Sequence, residues 1–328
     1  MYRRRLQKMG AASLGVSLPK KWLRYHGLKR GDEVEVEVAE DYTLIVRPST
    51  TRKPVQQSCF TVDYEGIGFN EAFLKLVSLY VNGVDLIRVK CGLKCSEFRE
   101  RVYRVLESSL IGLEVIEEGE GYITFACLVD VASLPLIEAV RKMSRALPLF
   151  IREVEESIRS RLALDVEERD GLIDKLYLYS IRQLNMVMQG RLPLDKTGLK
   201  SLSEALSIAS TLKTLERIGD HIVQLYYWSR GRSAGELESV EGFMERIREA
   251  MINILSEYTS ILEDPGRPLS VEESILKLRS LEEELKSRDI DASAVVHLMR
   301  IIAYLTDIVE AAMDIVVSRS VRSSKCGD

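Results

Sequence analysis

A chain of 328 residues, 46% hydrophobic and 29% charged, has the balance of a soluble globular protein and the length of two or three domains. It has no run of about 18 apolar residues, so no membrane insertion is expected, and its basic start, Met1-Tyr2-Arg3-Arg4-Arg5, lacks the apolar stretch of a signal peptide; cytoplasm is the expected location. The net charge of −4 is unevenly spread: residues 1–53 hold twelve basic and six acidic residues, a net +6, which leaves −10 for the rest.

Residues 1–30 contain nine Lys or Arg and no acid, the composition of an anion-binding head. Leu14, Val16 and Leu18 alternate as on a strand with one buried face. Pro19 suits the first turn of a short helix, with Ser17 as its cap, and Gly27 can end that helix in the left-handed conformation. Val34, Val36 and Val38 alternate with Glu33, Glu35 and Glu37 as a second strand. Glu40-Asp41 reads as a turn, Thr43 to Arg47 as a further strand, and Pro48 and Pro54 bracket a polar linker. A first domain over 1–54 has little core of its own, and a lone hairpin is marginal in water, so a homodimer is expected. Trp22 is read as packing on the short helix rather than as a base-stacking group.

The order Arg5-Leu6-Gln7-Lys8-Met9-Gly10, Leu18-Pro19-Lys20-Lys21-Trp22 and Gly27-Leu28-Lys29-Arg30-Gly31-Asp32 resembles the AbrB/SpoVT family. The resemblance implies a swapped-hairpin dimer that binds DNA. Lysine and arginine neutralise phosphates and release counterions, and arginine also reaches guanine edges. Arg3, Arg4, Arg5, Lys8, Lys20, Lys21 and Arg24 are the candidates; the competing reading is a solvated basic face on a head kept only for dimerisation. Three consecutive arginines cannot all reach one groove from a single strand, since alternate residues face opposite ways.

A second domain, 55–132, shows strand-like runs at Cys59–Tyr64, Val84–Lys90, Leu113–Glu117 and Tyr122–Val129. Helical stretches lie between them at Asn70–Val81 and Cys95–Leu110, a βαβαββ order that predicts a small α/β layer. It carries no glycine-rich phosphate loop and no catalytic constellation; Gly66-x-Gly68 is read as a turn. The five cysteines, Cys59, Cys91, Cys95, Cys127 and Cys326, are too sparse for a disulfide framework and are read as ordinary thiols.

From 133 to 322 the pattern is helical, with breaks near Asp165, Gly190–Pro193, Gly231–Gly235, Asp264–Pro268 and Asp289–Asp291 that leave six helices. Leu215-Glu216-Arg217-Ile218-Gly219-Asp220-His221 has a looser counterpart at Val309-Glu310-Ala311-Ala312-Met313-Asp314-Ile315, so two three-helix bundles are expected, about 133–232 and 236–322. The whole is multidomain and mainly α.

The string Leu212-x-x-Leu215-Glu216-Arg217-Ile218-Gly219-Asp220-His221 resembles the Glu-Arg-Ile-Ala-Asp-His signature of the PhoU family; the second copy keeps the spaced acids and lacks the Arg and His. With the head and the α/β segment, the architecture resembles archaeal PhoU-like regulators. The resemblance implies regulation of phosphate uptake and metal clusters held by Glu216 and Asp220 and by Glu310 and Asp314. Residues four apart share a helix face, and oxygen-only ligands suit hard divalent cations, iron or manganese. Asp170 and Asp174 could complete the first site and Asp307 the second, while the bland alternative is solvated acids paired with Lys213 or Arg217. His221 lies off the Glu216 face and is read as a partner or surface group. Two function classes follow: a DNA-binding regulator that senses phosphate status directly or through a transporter, and an adaptor that docks on the ATP-binding subunit of a phosphate ABC transporter. An enzyme is not expected, because no base or nucleophile accompanies the carboxylates.

Overall fold

The computed structural model describes residues 2–10, 13–38, 42–49, 59–130, 133–264 and 270–323. The chain divides into two compact units, residues 1–58 and 59–328.

In the first unit, β1 (Gln7–Met9) pairs antiparallel with β2 (Ser13–Gly15), and β3 (Val34–Val38) with β4 (Leu44–Pro48), in a register that sets Val36 opposite Val46. Between the hairpins lies α1 (Lys20–His26). Its cap corrects the sequence reading: Pro19, not Ser17, is the N-cap residue, with no side-chain hydrogen bond. Gly27 closes the helix at φ 67°, a conformation that costs glycine nothing. The Glu40-Asp41 turn and the linker from residue 50 onward lie outside the described residues. No described residue of this unit is buried. The apolar sides of its strands stand open, with Leu14 at 67% and Val38 at 62% exposure. Trp22 is half-buried against His26, ring centres 4.9 Å apart, which is packing along the helix.

The second unit opens with a four-stranded sheet of β5 (Cys59–Asp63), β6 (Leu86–Lys90), β7 (Leu113–Gly119) and β8 (Tyr122–Cys127) in the order β5-β6-β8-β7. The crossover α2 (Phe69–Val81) joins the parallel pair β5 and β6, and α3 (Cys95–Ser109) precedes the β7–β8 hairpin. Alternation drives one face inward: Val62, Ile87, Val89, Ile123 and Phe125 are buried in one cluster with Leu76 and Tyr80 of α2 and Phe98 and Val102 of α3. The opposite face is polar, and Arg88 there donates to Thr124 and Glu117.

Two of the five cysteines depart from the expectation of ordinary thiols, because Cys91 and Cys95 are joined by a disulfide. Four positions apart in sequence, they meet because a 3₁₀ turn over Gly92–Lys94, with Gly92 at φ 48°, folds the end of β6 back on the start of α3. Cys59 and Cys127 are free, and Cys326 lies outside the described residues.

Among the described residues, six α-helices follow in the unit: α4 (Leu136–Ser160), α5 (Val166–Met188), α6 (Leu202–Ser229), α7 (Ala234–Glu263), α8 (Val271–Ser287) and α9 (Ala292–Ser323). Helices α4, α5 and α6 pack on one another, as do α7, α8 and α9, and the two bundles join along α4–α7 and α6–α9 around one core. The breaks have local causes. Asp165 caps α5 by accepting from the Glu168 N–H at 3.1 Å, and Ser233 with Glu236 forms a capping box on α7. Two buried carboxylates tie the bundles through half-buried arginines: Arg248 of α7 donates to Glu155 of α4 at 3.0 Å, and Arg319 of α9 grips both oxygens of Glu204 on α6 at 2.8 and 3.0 Å. No helix among the described residues is long and apolar enough to cross a membrane.

Candidate functional site

Helix α6 sorts its side chains by angle. Leu215, Ile218, Gly219 and Ile222 are buried. One residue turns a helix by about 100°, so Glu216 and Asp220 form one flank beside this stripe and Arg217 and His221 the next.

On the acidic flank, α5 packs against α6 and sets Asp170 and Asp174 against Glu216 and Asp220. Burial pushes the Asp170 carboxyl up to about 7, reinforced by the charges of Asp174, Asp220, Glu216 and Glu167. Asp174 is pushed up to about 6 by burial, then by Glu216 and Asp220. One cation relieves the cluster: Lys213 Nζ lies 2.5 Å from Glu216 Oε1 and 5.0 Å from the centre of the Tyr177 ring. Asp170 Oδ1 and Glu216 Oε2 are buried without a hydrogen-bond partner among the described residues. A Cβ at Gly219 would stand 3.0 Å from Asp170 Oδ1, so glycine where the PhoU-like signature has alanine leaves room for this carboxylate. Buried, mutually repelling, unsatisfied carboxylate oxygens are the donor chemistry of a hard cation. As the side chains stand, no three among the described residues converge as a metal site. The donor set fits a cation, and the ion would have to draw it together.

The second-repeat candidates are placed differently. Glu310, Asp314 and Asp307 are exposed on α9, and burial raises the Asp307 pKa. On the neighbouring α8, Glu273 and Glu282 are held by Lys277 and Lys286 at 2.8 and 2.6 Å. The structure therefore sets the acids of α5 against those of α6 in the first repeat and leaves the second set exposed on a single helix.

The other flank of α6 holds a group that local spacing could not reveal. His221 Nδ1 lies 2.9 Å from His297 Nδ1 of α9, with the Tyr304 ring stacked on His221 at 5.7 Å. Burial, then His297 and the guanidinium charges of Arg300 and Arg217, hold His221 below the usual imidazole range. His297 is 76 residues from its partner and carries no ligand-like spacing; only the pairing of α6 with α9 brings it there.

In the head, Arg3, Arg4, Arg5, Lys8, Lys20, Lys21 and Arg24 are all exposed, and none has a carboxylate partner among the described residues. Arg3 to Arg5 precede β1 and lie outside any strand, which removes the alternation that would have turned one of them away. Lys20 and Arg24 sit one turn apart on α1, with Lys21 beside them.

Residues 7–54 match the family described as antidote-toxin recognition MazE, bacterial antitoxin, and residues 140–228 match the PhoU domain. The PhoU match covers α4 to α6, where the full signature lies. No curated protein and no solved structure matches the chain. A MazE/AbrB-like domain and a PhoU domain thus stand in one chain, as the two resemblances implied. Together they support a regulator of phosphate homeostasis in general terms, and both are regulatory, non-enzymatic families.

Proposed function

We propose that this chain, carrying a MazE/AbrB-like head and a PhoU domain, is a homodimeric regulator that binds DNA through its N-terminal head and responds to phosphate status through its helical body. The observation that carries the reading is the state of the head: not one described residue is buried, while seven exposed cations have no carboxylate partner among the described residues. Open apolar strand faces call for a second copy, since exposed apolar area of this kind marks an interface. Two copies double the positive charge on one assembly, which suits a polyanion. Regulation follows if a signal bound by the body favours one arrangement of the two heads, because a ligand shifts an equilibrium only by its differential affinity for the two states. The first-repeat quartet of Asp170, Asp174, Glu216 and Asp220 would hold a divalent or iron-type ion that supplies positive charge among the carboxylates.

The experiment is a mobility-shift titration of the full chain on duplex DNA over a range of salt. Binding is expected to fall linearly in log–log form as salt rises. Changing Lys20, Lys21 and Arg24 to Gln is expected to weaken binding evenly across DNA sequences and to reduce the salt slope by about 1 for each lost phosphate contact. No shift at low salt, with protein verified as dimeric, would sink the DNA reading and favour the adaptor that docks on a transporter ATPase.

A further inference from the structure

We propose that the seam between α6 and α9 is a binding site for a phosphate-type oxyanion, built from Arg217, His221, His297 and Arg300. Arg217 and His221 are one turn apart on α6, and His297 and Arg300 are three apart on α9, so each pair shares a helix face. The Nδ1 contact of 2.9 Å fixes the two pairs against each other. Both arginines are exposed, and neither makes an ion pair or hydrogen bond among the described residues, although residues 54–328 carry an excess of ten acids. Asp220, next to His221, also faces solvent; its charge partly offsets the cluster without closing on either guanidinium.

The histidine pair adds a donor by geometry alone. Two Nδ1 atoms at hydrogen-bond distance require one to accept, and the accepting ring then carries its proton on Nε2. The seam therefore offers two planar guanidinium forks and at least one imidazole N–H. Guanidinium forks match tetrahedral oxyanions with two parallel bonds, and charge-assisted bonds of this kind are the strong class. Clustered cations repel, and a bound anion removes that repulsion.

The cationic flank is also separable from the acidic one. The second repeat keeps Glu310 and Asp314 in step with Glu216 and Asp220, yet has Ala311 and Ile315 where Arg217 and His221 stand. Basic residues on this flank are thus not a by-product of carrying the spaced acids. The phosphate class of the anion rests on the proposed function; the cationic site itself does not. Free orthophosphate and the phosphoryl end of a nucleotide present the same chemistry.

The test uses the full chain in chelator at low chloride, titrated calorimetrically with orthophosphate and, separately, with ATP. A double variant, Arg217→Gln with Arg300→Gln, is checked for native helicity by circular dichroism. Saturable binding by the wild type is expected, weakened roughly tenfold for each guanidinium removed. Orthophosphate binding assigns the free anion, and binding of ATP alone assigns a nucleotide phosphate; either supports the site. Absence of binding by both, or equal binding by the double variant, would overturn it, the latter placing the anion on the basic head. A parallel mobility shift with and without orthophosphate separates the two readings. Anion binding that leaves DNA affinity unchanged supports the site and counts against the coupling of phosphate sensing in the body to DNA binding by the head.

Discussion

Changing Arg182 to alanine is expected to destabilise the protein by about 3–5 kcal/mol, the cost of breaking a buried charge network from one side. Arg182 is 1% exposed in the middle of α5. Its Nη1 donates to the carbonyls of Tyr80 at 2.6 Å and Val84 at 3.0 Å, its Nη2 to Asp85 at 3.1 Å, and its guanidinium lies 5.0 Å from the Tyr80 ring centre. Nearby, Asn185 donates to the Val81 carbonyl at 2.8 Å and Gln189 to the Asn82 carbonyl at 3.1 Å. Arg191 reaches the Gly83 carbonyl and, at 2.5 Å, Asp85. The last carbonyls of α2 have no partner inside that helix. The backbone N–H groups of Asn82, Gly83 and Val84 bond the Ser78, Tyr80 and Leu79 carbonyls, and side chains of α5 add bonds to the Tyr80 and Val81 carbonyls, so α5 reinforces the C-terminal end of a helix in another layer. This is the physical reason the α/β layer and the helical layer form one compact unit.

Alanine at 182 takes the side-chain donor from the Tyr80 and Val84 carbonyls and one donor from Asp85, leaving Tyr80 with the Gly83 N–H and Asp85 with Arg191. Lysine restores one charge but not the fork, so Arg182→Lys is expected to recover less than half of the loss. Urea unfolding followed by circular dichroism and by tyrosine fluorescence checks both variants. An alanine variant within about 1 kcal/mol of the wild type would show that water replaces the network, contrary to the burial seen here.

The contrast with what sequence revealed is instructive at particular residues. Each strand and helix of the α/β layer was legible because alternation and three-to-four spacing are written in neighbouring residues. The helical breaks near Asp165 and Gly231–Gly235 were legible for the same reason, and the structure adds the caps Asp165 and Ser233 to them. The spaced acids of α6 were legible as a motif, and Asp170 and Asp174 as a pair, because four residues make a turn. The polar stripe Arg182, Asn185 and Gln189 went unread, because its partners lie about a hundred residues earlier in the chain and are backbone carbonyls, which no sequence pattern marks. The same holds for His221 with His297. The Cys91–Cys95 bond failed for a different reason: the spacing is that of a helical turn, and only the 3₁₀ turn that precedes α3 brings the two sulfurs together.

The acidic quartet leads to the second large effect, an inversion of the usual response to pH. A carboxyl whose folded pKa exceeds its unfolded value holds more protons in the native state, so stability falls as pH rises between the two values. Asp170, raised from 3.8 to about 7, and Asp174, raised to about 6, both act this way, and their penalty is fully developed above about pH 7. His221 and His297, lowered by burial, act in the opposite direction below their ordinary pKa of 6.5. The raw pH curve therefore mixes two signs, and the difference between variants isolates the carboxylates. In chelator, Asp170→Asn is expected to match the wild type only below about pH 4, to lead it in part by about pH 5, and to exceed it at pH 8 by about 1–2 kcal/mol, after discounting for the partial solvent exposure of the group. Thermal melts would read this as a rise of roughly 2–4 °C for each kcal/mol. Addition of manganese or magnesium at pH 8 is expected to reverse the order: a cation that binds only the native state stabilises by mass action, and the wild type keeps the full donor set. The variant, short of one anionic oxygen donor, gains less. An asparagine variant less stable than the wild type at pH 8 in chelator would mean that Asp170 is held by favourable contacts rather than by repulsion, and the quartet would then be a structural cluster without a call for metal.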